Sequence, residues 1–270
     1  GGEKGVRGKK GCSVDVGLKD KVFVVGGGSK GLGRGVAQAL VEEGARVLLL
    51  SRDEESLDKA VAALGSAAKA VPADMAYPGT AEQVAAVIAA EFGGRLDGIL
   101  INAGGPPAGK ALELSEEQWL DSYQLLIGGP LRLLKALVPK MDQGGAILFI
   151  TSTSVRQPIP NLDTSNVLRP GVAALAKTLA RELAPDIRVN SLAPGRFNTD
   201  RIRALDAIRA EATGVSPQEI AAESSKQIPI GRYGEPIEFG RFAAFLLSPA
   251  ASYISGLAAH ADGALVTALP

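Results

Sequence analysis

The chain has 270 residues, 46% hydrophobic and 21% charged, a composition that supports a packed core rather than disorder. Its 29 lysines and arginines balance 29 aspartates and glutamates, so no global field recruits nucleic acid or an acidic membrane. The lone cysteine, Cys12, excludes an internal disulfide and a cysteine-based metal cluster and fits a reducing cytoplasm. No apolar run approaches the ~20 residues of a membrane span.

Residues 1–18 are rich in glycine and lysine and lack the apolar core of a signal peptide. They read as a disordered leader or a cloning remnant, and residues 19–270 as one domain. From Lys19 onward strand-like and helix-like segments alternate, the mark of a parallel sheet covered by helices on both faces. Val22 to Val25 is a β-branched run, followed by a glycine turn and a helix from about Gly31 to Glu43. Ala45 to Leu50 predicts a second strand, and Asp53 caps a helix to Leu64. Ala70 to Ala73 and Ala81 to Phe92 predict the next strand and helix. Leu96 to Ile101 predicts a fourth strand, and a long helix begins near Ser115, where Ser115 and Gln118 have capping-box spacing.

Gly145 to Thr151 predicts a fifth strand, Ser165 to Leu183 a helix and Ile187 to Leu192 a sixth strand. Residues 196–234 break the rhythm and read as a helical substrate lid, before a last helix over Glu235 to Leu247 and a strand over Leu257 to Ala261. The expected fold is α/β, a single Rossmann-type doubly wound parallel sheet of about seven strands.

The informative segment is Val25-Gly26-Gly27-Gly28-Ser29-Lys30-Gly31-Leu32-Gly33, set between the first strand and the first helix. Glycines there let the backbone turn tightly and approach a diphosphate at the helix amino end. The chain at this point resembles the short-chain dehydrogenase/reductase superfamily, including its 3-oxoacyl-carrier-protein reductases, whose turn reads Thr-Gly-x-x-x-Gly-x-Gly. Gly27, Gly31 and Gly33 match, and Gly26 stands where the threonine would be.

Other segments follow in the family's order. The resemblance implies that Asp74, with Met75 beside it, contacts the adenine. It further implies that Asn102-Ala103-Gly104 lies along the coenzyme and that Pro194-Gly195 and Thr199 flank the nicotinamide. Asp262-Gly263 resembles the family's tail. The second strand ends in Ser51-Arg52, with no acid to select NAD; Arg52 and Lys30 are the cations expected to receive a 2′-phosphate. NADP is therefore expected ahead of NAD. Ser29, Leu32 and Ser51 complete the expected coenzyme contacts.

The catalytic positions depart from the family. Alignment on the fifth strand puts the family serine at Ser152, but the tyrosine position falls on Ser165, the lysine position on Arg169 and the asparagine position on Leu126. A serine is shorter than tyrosine and a much weaker acid, and an arginine cannot exchange a proton near neutrality. Loss of a general acid costs about 10²–10⁴ in rate.

Three readings stay open: an NADP(H)-dependent oxidoreductase acting on a carbonyl or alcohol with an altered proton donor, a dinucleotide-binding protein without reductase activity, and a cleft in which Arg156 and Arg169 hold an anion for a non-redox reaction. Tyr123, Tyr233 and His260 are expected to be structural. No metal-ligand motif is present, and aromatic residues at 4% argue against base stacking. The expected partners are a small-molecule substrate and, by the resemblance, further copies of the chain in a tetramer or dimer, with apolar faces at Leu125–Val138 and Val172–Leu183 in support. Neither nucleic acid nor membrane is expected.

Overall fold

The structure is a computed structural model that describes residues 15–268. Most of the predicted leader therefore lies outside the described residues. Its last member, Leu18, is a correction: it is buried in the core, and its carbonyl accepts from the Lys21 amide, so the folded unit already includes it.

Seven strands form one sheet: β1 (Val22–Gly26), β2 (Arg46–Ser51), β3 (Ala68–Pro72), β4 (Gly98–Ile101), β5 (Gly145–Ile150), β6 (Ile187–Pro194) and β7 (Ala258–Ala261). Their order is β3-β2-β1-β4-β5-β6-β7, and every pairing is parallel. The chain winds outward from β1 in one direction and from β4 in the other. The neighbours β1 and β4 therefore flank the switch point, where their carboxyl ends diverge and leave a crevice.

Period-two alternation divides the core into two layers. Phe23, Val25, Val47, Leu49, Leu148 and Ile150 face helices α1 (Gly31–Glu42), α2 (Glu54–Leu64) and α9 (Pro236–Leu247). Val22, Val24, Leu48, Leu50, Ile147 and Phe149 face the opposite layer, made by α3 (Thr80–Phe92), α5 (Gly129–Leu137) and α6 (Asp163–Glu182). Strands covered on both faces read as continuous apolar runs, as these do.

The helix entering α5 is α4 (Glu116–Tyr123), opened by the expected Ser115–Gln118 capping box. The two are joined by a π-helical turn over Gln124–Gly128. Pro130 contributes to that irregularity, because it has no amide hydrogen for the Leu126 carbonyl one turn earlier. The expected lid contains α7 (Asp200–Thr213) and α8 (Pro217–Lys226). No helix of the described residues is long and apolar enough to cross a membrane.

Helices α1 and α9 meet backbone to backbone. A methyl on Gly35 would overlap the Pro236 carbonyl, and one on Gly240 would overlap the Gly35 carbonyl. Gly35→Ala should therefore lower unfolding free energy by about 1–3 kcal/mol, as overpacking does. By contrast, Gly171→Ala in α6, where a methyl would lie 3.6 Å from Ile127 Cδ1, should be neutral or stabilising by up to about 1 kcal/mol. Urea denaturation of both variants checks the contrast, and equal effects would contradict the close helix crossing.

Candidate active site

The glycine turn stands at the carboxyl end of β1. Gly27 and Gly31 have φ of +59° and +54°, a region that side chains disfavour. A methyl on Gly27 would lie 2.6 Å from Asn102 Nδ2, and one on Gly33 would overlap the Gly27 carbonyl. Asn102 is thus wedged against the turn and ties the end of β4 to the start of α1.

That helix has Lys30 at its cap position and no side-chain cap, as have α3, α5 and α6; what sets it apart is the glycine turn that leads into it. An uncapped amino end beside glycines leaves backbone N–H donors for an anion. This cradle, which a Cβ would fill, fits a dinucleotide diphosphate. Leu32, half-buried, packs against the core from the first turn of α1.

At the adenosine end, the Ser29 hydroxyl donates to Ser51 Oγ at 2.9 Å, joining the turn to the end of β2. The two cations expected to receive a 2′-phosphate each lie beside a carboxylate. Lys30 Nζ lies 2.8 Å from Asp53 Oδ2, and Arg52 lies 3.6 Å from Asp74 Oδ2. Hydrogen bonding to Asp53 raises the Lys30 pKa, and the bonds from Lys30 and Ser56 hold the Asp53 carboxyl well below its ordinary range. Asp53 enters because it caps α2, so the cap residue also pairs with Lys30. Asp74 accepts from the Ala76 amide at 2.8 Å, and the Met75 side chain is buried beneath Gly26.

At the other end, Ala103 and Gly104 continue from β4 beyond Asn102. Pro194 ends β6, and Gly195 crosses Asp262 so closely that a methyl would lie 2.5 Å from Asp262 Cα. Thr199 sits beside Gly31, and its hydroxyl is committed to capping α7, accepting from Ile202 N at 3.3 Å.

The three expected catalytic residues come near one another without forming one hydrogen-bonded group. Ser152 Oγ accepts from the Ser154 amide at 3.1 Å. Ser154 Oγ, which sequence reasoning did not single out, lies 3.3 Å from Ser165 Oγ, and both serines are buried. Arg169 is buried too. It donates to the Ile150 carbonyl at 2.8 Å and to the Gly104 carbonyl at 3.4 Å, while its Nε has no partner. Burial, with the charge of Arg201 second, lowers its pKa to about 10, so it stays protonated at neutrality.

Arg201, also missed, begins α7 and rests its guanidinium on Gly105, where a methyl would overlap it. Only a charge-mixed lid was legible there, and nothing in it marks which arginine turns inward. Leu126 is buried in the core rather than facing the cleft. Arg156, considered earlier as a partner of Arg169, is exposed.

Tyr233 donates to Asp206 Oδ2 at 2.9 Å, and Asp206 also holds Arg196 at 3.1 Å, a latch across the lid. His260 lies on β7 with Nε2 buried and unpartnered. Among the described residues no group of His, Cys, Asp and Glu side chains could hold a metal ion. Cavities of about 630 and 170 Å³ open beside the lid, and neither is lined by the serine–arginine cluster.

A family model described as enoyl-(acyl carrier protein) reductase matches residues 27–265. The chain belongs to this family of short-chain oxidoreductases. It is 33% identical over 246 residues to human dehydrogenase/reductase SDR family member 4, covering 88% of this chain and 85% of that one. It is 32% identical over 251 residues to a 3-oxoacyl-(acyl-carrier-protein) reductase of Vibrio cholerae, covering 92% and 98%. Among solved structures, L-sorbose reductase from Gluconobacter frateurii, complexed with NADPH and L-sorbose, superposes with a TM-score of 0.90 at 30% identity, covering 95% of this chain and 100% of that chain. A short-chain oxidoreductase from Pseudomonas aeruginosa PAO1, described as containing an atypical catalytic centre, superposes with a TM-score of 0.85 at 29% identity, covering 94% and 100%.

Asp53→Asn keeps a capping side chain but removes the charge that competes for Lys30. It should raise affinity for NADPH relative to NADH by roughly two- to five-fold, the range of an exposed ion pair. Titrations of both coenzymes check this, and an unchanged ratio would mean that Lys30 does not meet the 2′-phosphate.

Proposed function

We propose that the protein is an NADP(H)-dependent oxidoreductase that interconverts a carbonyl and an alcohol on a small molecule, with Ser165 and Arg169 in place of the usual tyrosine and lysine. The observation that carries this reading is the uncapped α1 terminus enclosed by Gly27, Gly33 and Asn102. Gly27, Ser29, Gly31, Leu32 and Gly33 would hold the diphosphate. Lys30, Ser51 and Arg52 would meet the 2′-phosphate once Asp53 and Asp74 yield them, and Asp74 with Met75 would flank the adenine.

Asn102, Ala103, Gly104, Pro194, Gly195 and Thr199 would line the nicotinamide half, with Arg169 at its ribose. The NADPH complexes of L-sorbose reductase and of an actinorhodin polyketide ketoreductase variant, the latter 29% identical to this chain, support NADP. A homo-oligomer, dimer or tetramer, in the cytoplasm belongs to the same reading. The exposed Leu120, Tyr123 and Val167 on α4 and α6 support the self-association.

When bound, the coenzyme supplies or accepts a hydride, and reduction of a carbonyl leaves an oxyanion that needs stabilisation and a proton. Ser152 can donate a hydrogen bond to that oxygen. Arg169, a cation out of water, lowers the energy of a nearby negative charge but keeps its own proton. The proton then comes from solvent. A second reading, coenzyme binding without reduction, is favoured by one observation: the Ser165 hydroxyl faces Ser154 in the interior.

Loss of NADPH absorbance with a panel of ketones, oxo acids and sugars separates the two readings. The oxidoreductase reading expects consumption whose maximal rate is flat between about pH 6 and pH 9, because Arg169 titrates above that window. A slope near tenfold per pH unit would reveal a titrating acid that these residues do not provide. Coenzyme binding with no consumption across the panel would establish the second reading.

A further inference from the structure

Arg169 and Arg201 meet adjacent residues of one stretch of backbone. Arg169, on α6, reaches the Gly104 carbonyl, and Arg201, in the first turn of α7, lies on Gly105. Among the described residues neither guanidinium is within ion-pair distance of a carboxylate, a state they share with Arg34, Arg132 and Arg188. The acids nearest in sequence are already used. Asp200 pairs with Arg203, and Asp206 holds Arg196 and Tyr233.

Two like charges in one crevice repel, and a buried cation without a counter-charge is costly. Burial lowers the pKa of both, and Arg169, at about 10, stays charged at neutrality. The Arg169 Nε is buried and unpartnered. A planar anion would offset the repulsion and match the guanidinium fork of Arg201 in a bidentate pair.

We propose that Arg201, with the charge of Arg169 at the coenzyme ribose behind it, forms a receptor for a carboxylate on the substrate, so that the protein acts on a short oxo acid or hydroxy acid. The inference rests on the oxidoreductase reading above and supplies its substrate class. Arg169 meets the carboxyl end of β5, on the side of the cleft where Ser152 stands, away from Arg52 at the end of β2. An acid held there presents a carbonyl a few atoms away to Ser152. Arg156, exposed on its loop, takes no part.

The test compares two acids with their methyl esters, acetoacetate with methyl acetoacetate and levulinate with methyl levulinate, on NADPH-loaded protein. Quenching of bound-NADPH fluorescence reports binding. The acids should bind roughly tenfold or more tightly than the esters, as a charge-assisted bidentate pair implies. Added salt should erode that preference. Arg201→Gln should abolish it while leaving NADPH affinity unchanged, and Arg201→Lys, which keeps the charge without the fork, should fall between.

Equal binding of acids and esters in both pairs would overturn the proposal. So would an Arg201→Gln variant that weakens NADPH itself and preserves the acid preference, because that would assign Arg201 to the coenzyme's diphosphate. If NADPH does not bind at all, the functional reading fails. Calorimetry of the same acids and esters on coenzyme-free protein then still decides whether Arg201 receives a carboxylate.

Discussion

Arg169 lies in the interior with its guanidinium spread between the Ile150 and Gly104 carbonyls, at the carboxyl ends of β5 and β4. A charge taken out of water costs on the order of several kcal/mol unless hydrogen bonds and an opposite charge compensate. Here the hydrogen bonds are present and the opposite charge is not. The two carbonyls fix where the guanidinium points, so the cleft keeps a positive charge at a defined place before any ligand arrives. That fixed charge organises the nicotinamide end of the proposed site, because an oxyanion or carboxylate formed or bound there gains from a positive charge already in position.

The opposite end of the crevice is organised by close approach rather than by charge. Gly27 and Gly33 leave room for Asn102, and Asn102 couples the turn to the strand that leads to Gly104 and Gly105. One backbone path, from the glycine turn through β4, therefore relates the proposed diphosphate cradle to the arginine pair. Helix α7 meets this path: its capping residue Thr199 touches the glycine turn and its first turn carries Arg201. Cradle, cap and cation share a short stretch of chain.

The fold was legible because buried parallel strands and amphipathic helices leave strong periodicities, and each strand expected from the sequence lies within a few residues of its observed bounds. The Asp53 and Ser115 caps were equally legible, since capping depends on local residue type. What the sequence concealed was side-chain direction. Residue type gave Lys30 and Arg52 as cations, but not that Asp53 and Asp74 would already hold them. The spacing of Ser152, Ser165 and Arg169 put them on neighbouring elements, but not that Ser165 would turn to Ser154 and Arg169 to two carbonyls. Those choices depend on contacts between residues far apart in the chain, which no local pattern encodes.

The proposed activity requires that the glycine turn receive a nicotinamide dinucleotide. Calorimetric titration of the folded protein with NADPH, and in parallel with NADH, addresses that directly. Saturable one-site heat with NADPH, and weaker binding of NADH, is the predicted result. No heat with either coenzyme would contradict the assignment of the turn, of Arg169 and of the proposed activity together.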